Sequence, residues 1–549
     1  MVRRYRPLTA DETARLERQG NWADDWTDVQ VCDDTDLGVI RHNHFGPDVT
    51  IGRVAGLADS HMEHCSIGDG SVVDSVHLLS GYDIGVGCRI DGVGRMTFGK
   101  AKLDVMNENG NRAIVAMPGM TVGDAYLWAR YRGRKELMQR FAQWAAGNRR
   151  GSVGDGSVIE NAIAVVDGVM GPACRIEHGV IAVRFLLGEH VHLEYGLRLN
   201  DAVVGDNSTL ARCEVGNSII FPAHEQHHNN SFLIAGLVMG QSNVAAGCTI
   251  GSNHNSRTAD NELAAGRGFW PGLCCSFKHS SRFASYCLLA KGDYPAELDI
   301  KLPFALVNNN VSKDRLEVMP AYWWMYNMYA LDRNSRKFAD RDKRTVKAQH
   351  IEFDPLAPDT AEEILYAMEL LHRWMADATD GVVRAEGMEK SKRPTVILKA
   401  REGLAAYEDM LVYYAMKTLP ADFKPMSPAP GLGEWVNIGG QLVTRADMER
   451  LIADVERGAI GGWADLHDRM NSLWEAYGTQ RMNHAYGVLC RLAGVETLDV
   501  ERWRQFRQRY ERILLYVEEQ KKASREKDNV NPFRRMTYWD DAEREAVIS

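Results

Sequence analysis

The sequence predicts a long parallel β-helix of about 17 residues per coil, carrying one inserted helix and followed by an α-helical domain. Three observations carry that expectation. A seven-residue unit recurs: "IGDGSVV" from Ile67, "IGVGCRI" from Ile84, "VGDGSVI" from Val153, "MGPACRI" from Met170, "LGEHVHL" from Leu187 and "VGDNSTL" from Val204. The starts at 153, 170, 187 and 204 are each 17 residues apart, as are 67 and 84, a period that marks a solenoid. Within the unit the first and seventh positions are apolar and the fifth is small or modest (Ser71, Cys88, Ser157, Cys174, Val191, Ser208). Alternation of that kind is extended strand with one face turned inward. Finally, glycines thin out near residue 311 and helical spacing takes over.

In chain order, residues 1–34 read as an N-terminal cap. Their opening, "MVRRYRPLTADETARLERQG", has no apolar core of signal-peptide length. Residues 35–310 are the β-helix. A glycine follows the first apolar residue of all six units, as a tight corner requires. Between Ile90 and Val153 the repeat stops, and Leu127, Leu137, Phe141 and Trp144 make an apolar stripe among arginines, which predicts one helix from about 123 to 146 within an insertion at about 120–149. Solenoid insertions commonly lie on the binding face, so this helix is expected beside the site. Residues 311–549 are the helical domain and a C-terminal arm. "DTAEEILYAMELLHRWMADA" opens with Asp359 as N-cap and Glu362 three residues on, and the aromatic run 322–338 is expected to pack helices onto the solenoid.

Bulk properties narrow the function classes. Lysines and arginines number 65 against 74 aspartates and glutamates, a net charge of −9 without a basic block, which argues against nucleic-acid binding. No window reaches the length of a membrane span. Ten cysteines without CxxC spacing read as packed, reduced thiols of a cytoplasmic protein.

The units quoted above resemble the hexapeptide-repeat, left-handed parallel β-helix superfamily over residues 35 to 310; the left hand comes from that resemblance and not from periodicity. The whole chain looks like an uncharacterised bacterial family whose members are sometimes labelled sugar-1-phosphate nucleotidylyltransferases, on "MNENGNR" at 106–112 and the run from Gly251 to Leu298. The glycine-rich nucleotide-binding domain of such an enzyme is absent. The superfamily implies transferase chemistry on a carbohydrate, with a histidine at a coil edge activating a hydroxyl or amine. It also implies a homo-oligomer, commonly a trimer, although the added helical domain competes for that surface.

Polar clusters interrupt the repeat. "FPAHEQHHNNS" (221–231) stands where a glycine corner and strand are due, so its side chains are expected to face outward onto a ligand. Asn253, His254, Asn255, Arg257, Asp260 and Glu262 follow, then Trp270, Lys278 and His279, then Lys291, Asp293 and Tyr294. Stacked coils bring residues far apart in sequence to about 5 Å, so these clusters are expected to converge, joined by Asn107, Glu108, Asn111 and Arg112. Histidine titrates near neutrality and suits proton transfer; Lys and Arg hold anions. The expected catalytic set is His227, His254, His279, Glu108 and Asp293. The expected substrate-binding set is Asn107, Arg112, Arg257, Lys278, Lys291, Trp270 and Tyr294. His224 and His227, with His254, have the spacing of a divalent-metal site such as zinc. Three readings stand: a sugar- or nucleotide-sugar-directed transferase, a metal-assisted carbohydrate hydrolase, lyase or isomerase, and a non-catalytic glycan- or partner-binding scaffold.

Overall fold

The computed structural model describes residues 5–107, 113–251, 262–420 and 432–548. A β-solenoid of about 16 turns, with ~17 residues per turn, is followed by a helical region. The column is held by parallel backbone ladders: Ile159, Ile176, Leu193 and Leu210 stack in register, as do Val153, Met170, Leu187 and Val204. All eight are buried, each contributing roughly 1.5–3 kcal/mol relative to exposure. Ser71, Cys88, Ser157, Cys174 and Ser208 point inward with them and are 1% exposed or less. The serines also bind the next coil: Ser71 Oγ accepts from the Cys88 amide at 3.0 Å and Ser157 Oγ from the Cys174 amide at 3.1 Å.

The first coil is closed by an antiparallel strand, Tyr5–Pro7 against Val29–Cys32, and by helix α1 (Ala10–Arg18), whose Leu16 is buried. Thr9 and Glu12 form a reciprocal capping box at its start.

The insertion departs from expectation. It is a hairpin (Lys102–Asp104 with Ala113–Val115) and two helices, α2 (Val122–Arg130) and α3 (Lys135–Ala145), where one was expected. The apolar stripe of 122–129 is buried almost all round, whereas α3 is amphipathic, so the two cannot share one straight axis. Both pack in a single apolar cluster with the outward residues Val169, Leu186, Val203, Ile219 and Leu237 of the long strands, and Tyr126 meets Phe221 edge-on at 5.3 Å.

Beyond the last coil, strand Arg315–Met319 turns back antiparallel on Leu306–Asn310 and is extended by Thr395–Ile397. The helices are α4 (Tyr322–Tyr326), α5 (Met328–Asp340), α6 (Pro358–Ala376), α7 (Ala400–Thr418), α8 (Arg445–Glu456), α9 (Trp463–Ala493), α10 (Val500–Val530), α11 (Pro532–Arg535) and α12 (Asp541–Ile548). Asp359 is not the N-cap of α6. Ala357 holds that place, Pro358 opens the helix, and Asp359 pairs with the buried Arg267 of the solenoid at 2.8 Å. Arg267 also donates to the carbonyls of Glu352 and Asp354, so one guanidinium ties the two halves together.

Candidate functional site

The repeat does not break at residue 221. Ile220 stacks on Val204, sixteen residues on, so this coil is one residue short and its phase moves by one. Ala223 takes the left-handed corner, His224 the inward small position, Glu225 an outward one, and Gln226 the inward place of Leu210. The expectation that 224–231 face outward therefore holds for Glu225, His227 and His228 and fails for His224 and Gln226, which are fully buried. Inside the column His224 Nδ1 lies 2.8 Å from Ser242 Oγ and Nε2 lies 3.1 Å from Gln226 Oε1; Gln226 Nε2 donates to Ser231 Oγ at 3.0 Å. Gln226 Oε1 only accepts, so Nε2 of the ring carries a proton. Burial depresses its pKa from 6.5 to about 4.

On the outer side of this wall, Arg175, His192, Thr209 and Glu225 form one ladder. Helix α5 and residues 341–343 lie against it and leave a cleft of ≈ 190 Å³, lined by His190, His192, Asn207, Thr209, Ala223, Glu225, Phe338, Arg341 and Lys343. The imidazoles of His190 and His192 are 4.7 Å apart between centroids. His190 sits at φ 58, at the corner held by Gly70, Gly87 and Gly156 in earlier coils and by Ala173 and Asn207 in its two neighbours. Burial, then the neighbouring His190, hold His192 down at about 4; burial also lowers His190.

Glu225 organises the edge of the cleft. One oxygen lies 3.0 Å from His227 Nδ1; the other faces Arg341 at 3.5 Å and Lys337 at 3.9 Å. The carboxylate fixes the His227 proton on Nδ1 and leaves the Nε2 lone pair as an acceptor. Burial lowers Lys337, with Glu225 opposing.

The segment after α5 is locked to the same coils. Glu189, 5% exposed, accepts the amides of Thr345, Val346 at 2.9 Å and Lys347 at 2.7 Å. Arg344 bridges Asp206 and Asp342, each at 2.8 Å, and Asn207 donates to Asp342 at 2.9 Å. Burial pushes Asp342 up, but the bonds from Arg344 and Asn207 outweigh it and keep the carboxyl well below its ordinary value.

Of the residues expected from sequence, His227 stands at the edge of the cleft on Glu225, and Trp270 lies in a separate crevice beside it. The amide of Asn243, which bridges to Glu225, bonds to Phe269 O, and Trp270 lines the adjoining crevice with Asn243 and Lys337. Trp270 packs on Trp323 at 5.5 Å. His279 is buried elsewhere, with Nε2 3.0 Å from Ile234 O. Tyr294 is no substrate group: its ring is inside the column and its hydroxyl donates to the carbonyls of Ala290 and Val307. Asn107 is buried and its Oδ1 has no hydrogen-bond partner among the described residues. Lys291 and Asp293 are exposed and Lys278 half-buried, and none of the three lines the cleft. Glu108, Asn111, Arg112, Asn253, His254, Asn255, Arg257 and Asp260 lie outside the described residues.

His224 and His227 do not form a metal pair: one faces the interior with both nitrogens engaged, the other faces out on Glu225. Among the described residues no group of three or more His, Cys, Asp or Glu side chains is arranged for a metal ion. The inserted helices are not beside the cleft, since they cover the long-strand face. His190, His192, Glu225, Arg341 and Lys343 were not singled out from sequence. The unit "LGEHVHL" held a signal, two histidines at corner and outward positions where other units carry smaller or unrelated groups.

Fold and cleft define a parallel β-helix whose flank is roofed by its own helical domain. The chain belongs to the same family as an uncharacterized protein of Treponema pallidum (strain Nichols), with 38% identity over 653 residues, spanning 100% of this chain and 90% of that one. Residues 5–177 match a domain of unknown function (DUF4954) and residues 416–528 another (DUF6819). Among solved structures, the chain is similar to UDP-N-acetylglucosamine O-acyltransferase from Moraxella catarrhalis RH4 at 11% identity and a TM-score of 0.14, covering 60% of this chain and 91% of that one. It is similar to UDP-N-acetylglucosamine acyltransferase from Campylobacter jejuni at 14% identity and a TM-score of 0.13, covering 64% and 86%. Among the described residues no helix is long and apolar enough to cross a membrane.

Proposed function

We propose that the chain is an enzyme of hexapeptide-transferase ancestry that acts on an anionic, sugar-type ligand in the cleft between His192 and Arg341. The observation that carries this reading is the Glu225–His227 pair, 3.0 Å apart at the edge of a cleft bordered by Arg341 and Lys343. A carboxylate that fixes one imidazole nitrogen leaves the other to take a proton from a hydroxyl or amine. Arg341 and Lys343 hold phosphate or carboxylate. His192, neutral and close to these cations, supplies a hydrogen bond; a bound anion would raise its pKa. Group transfer fits better than nucleotidyl transfer, because no glycine-rich phosphate loop follows a strand in the sequence. A reducing compartment fits ten cysteines that are all free thiols.

The test uses titration calorimetry with UDP-N-acetylglucosamine and with simple sugar phosphates, and transfer assays with acyl-CoA donors. Arg341→Ala is expected to weaken binding by about tenfold or more, and His227→Ala to leave binding and melting temperature in place while turnover falls about 10²–10⁴-fold. A chain that binds none of these ligands, or a His227→Ala variant with wild-type turnover, would overturn the proposal.

A further inference from the structure

Helix α10 is 31 residues long and packs one side on α5 and α7, burying Ile513 and Val517. Its opposite side exposes Leu515, and its last residue Val530 and, beyond it, Phe533, Met536 and Trp539 are between 71% and 95% exposed. Aromatic side chains of this size bury 150–250 Å² each when covered, so leaving them in water is costly. The N-terminal half of α10 and the start of α12 also carry opposite charge. Residues 502–512, "RWRQFRQRYER", hold five arginines and one glutamate, Arg509 being turned onto Glu408 and Asp409 of α7, whereas 540–545, "DDAERE", hold four acids and one arginine. A second copy laid antiparallel on α10 with its centre between Lys522 and Ala523 sets Leu515 opposite Val530. It also brings the partner's aromatic arm past the Leu514–Leu515 step and its acidic tail onto the arginine-rich stretch.

We propose that two copies of this chain pair about a two-fold axis through the middle of α10, each C-terminal arm lying on the other's α10. The contact is isologous, so one exposed strip serves both sides. It leaves the solenoid face and the cleft free, and does not depend on the function proposed for them.

Sedimentation equilibrium of the full chain at tens of micromolar tests this. The wild type is expected at twice its 61.5 kDa. The double variant Phe533→Ser, Trp539→Ser is expected at the monomer mass with an unchanged melting temperature. Arg502→Glu with Arg504→Glu is expected to shift the equilibrium toward monomer, and adding Asp541→Lys with Glu543→Lys to shift it back. A monomeric wild type, or an oligomer that survives loss of both aromatics, would overturn the pairing. Failure of the charge reversals to compensate would overturn the antiparallel register.

Discussion

Two neighbouring stretches of the same column differ in what they bury. From Val153 to Leu210 the interior is apolar apart from the small hydroxyls of Ser157 and Ser208, with Val191 filling the fifth position of its unit. From Ile220 to Ser242 the backbone ladder continues, yet His224 and Gln226 fill the inward positions and Ser231 and Ser242 complete a hydrogen-bonded chain. The difference teaches that the solenoid is held in register by its inter-coil backbone bonds, while its contents are free to change character provided every polar group finds a partner. A half-satisfied chain would be worse than an apolar one.

The largest expected effect breaks that chain at one link. His224→Ala strands Ser242 and Gln226 and opens a cavity, and should cost about 3–5 kcal/mol, against about 2 kcal/mol for Val191→Ala in the apolar coil. Replacing the polar set together, His224→Val with Gln226→Leu and Ser242→Ala, should recover most of the loss, since apolar groups of similar shape need no partners. Chemical denaturation of the three proteins gives the ranking. A single variant as stable as wild type would show that the chain is not satisfied as described.

A smaller effect is its pH dependence. His224 has a folded pKa of about 4 against 6.5 unfolded, so between these values the unfolded state binds more protons. The contribution is complete above pH 6.5 and is lost as pH falls toward 4, by up to about 3 kcal/mol. Melting temperatures from pH 7 to pH 4.5 should fall for the wild type and fall less steeply for the triple variant, in which His190 and His192 remain; equal slopes would remove His224 as a cause.

Least in energy, but sharp as a contrast, is thiol reactivity. Cys174 is buried and its thiol is pushed up to about 12 by desolvation, whereas Cys274 stands exposed at a corner. Native protein should give one fast thiol, at Cys274, with Cys88 and Cys174 silent until unfolding. Fast labelling of Cys174 would mean that the coil wall opens.

The column was legible in sequence because each coil repeats the same inward positions, and Ser71, Cys88, Ser157, Cys174 and Ser208 stand where the repeat places them. The phase error at 221 has a physical cause: a coil of 16 residues between Val204 and Ile220 followed by one of 18 to Val238 keeps the ladder while shifting the count. A reader counting 17 lands on Phe221 and sees imidazoles where the interior should be. The cleft was harder to read. His227 and Trp270 were within reach, as unusual groups on strands, but Glu225 acquires its role from Arg341 and Lys337, more than a hundred residues away on a helix that docks through Glu189 and Arg344. Nothing local in "DRDKRTVK" announces that Glu189 will collect its amides.

The interrupted ladder has one more consequence. Ile84 stacks directly on Val153 and Ile90 on Ile159, across 69 residues of chain, with the same register as neighbours 17 apart. The column is thus indifferent to how far the chain travels between one step and the next. It behaves as a modular rack whose shelves are fixed and whose cables run freely at the corners. Genetic insertions at those corners can grow into whole helices without rewriting a single rung, and this one reaches the roof of the cleft through Gln349, which accepts the Gly123 amide of α2 on its side chain and Arg344 on its carbonyl.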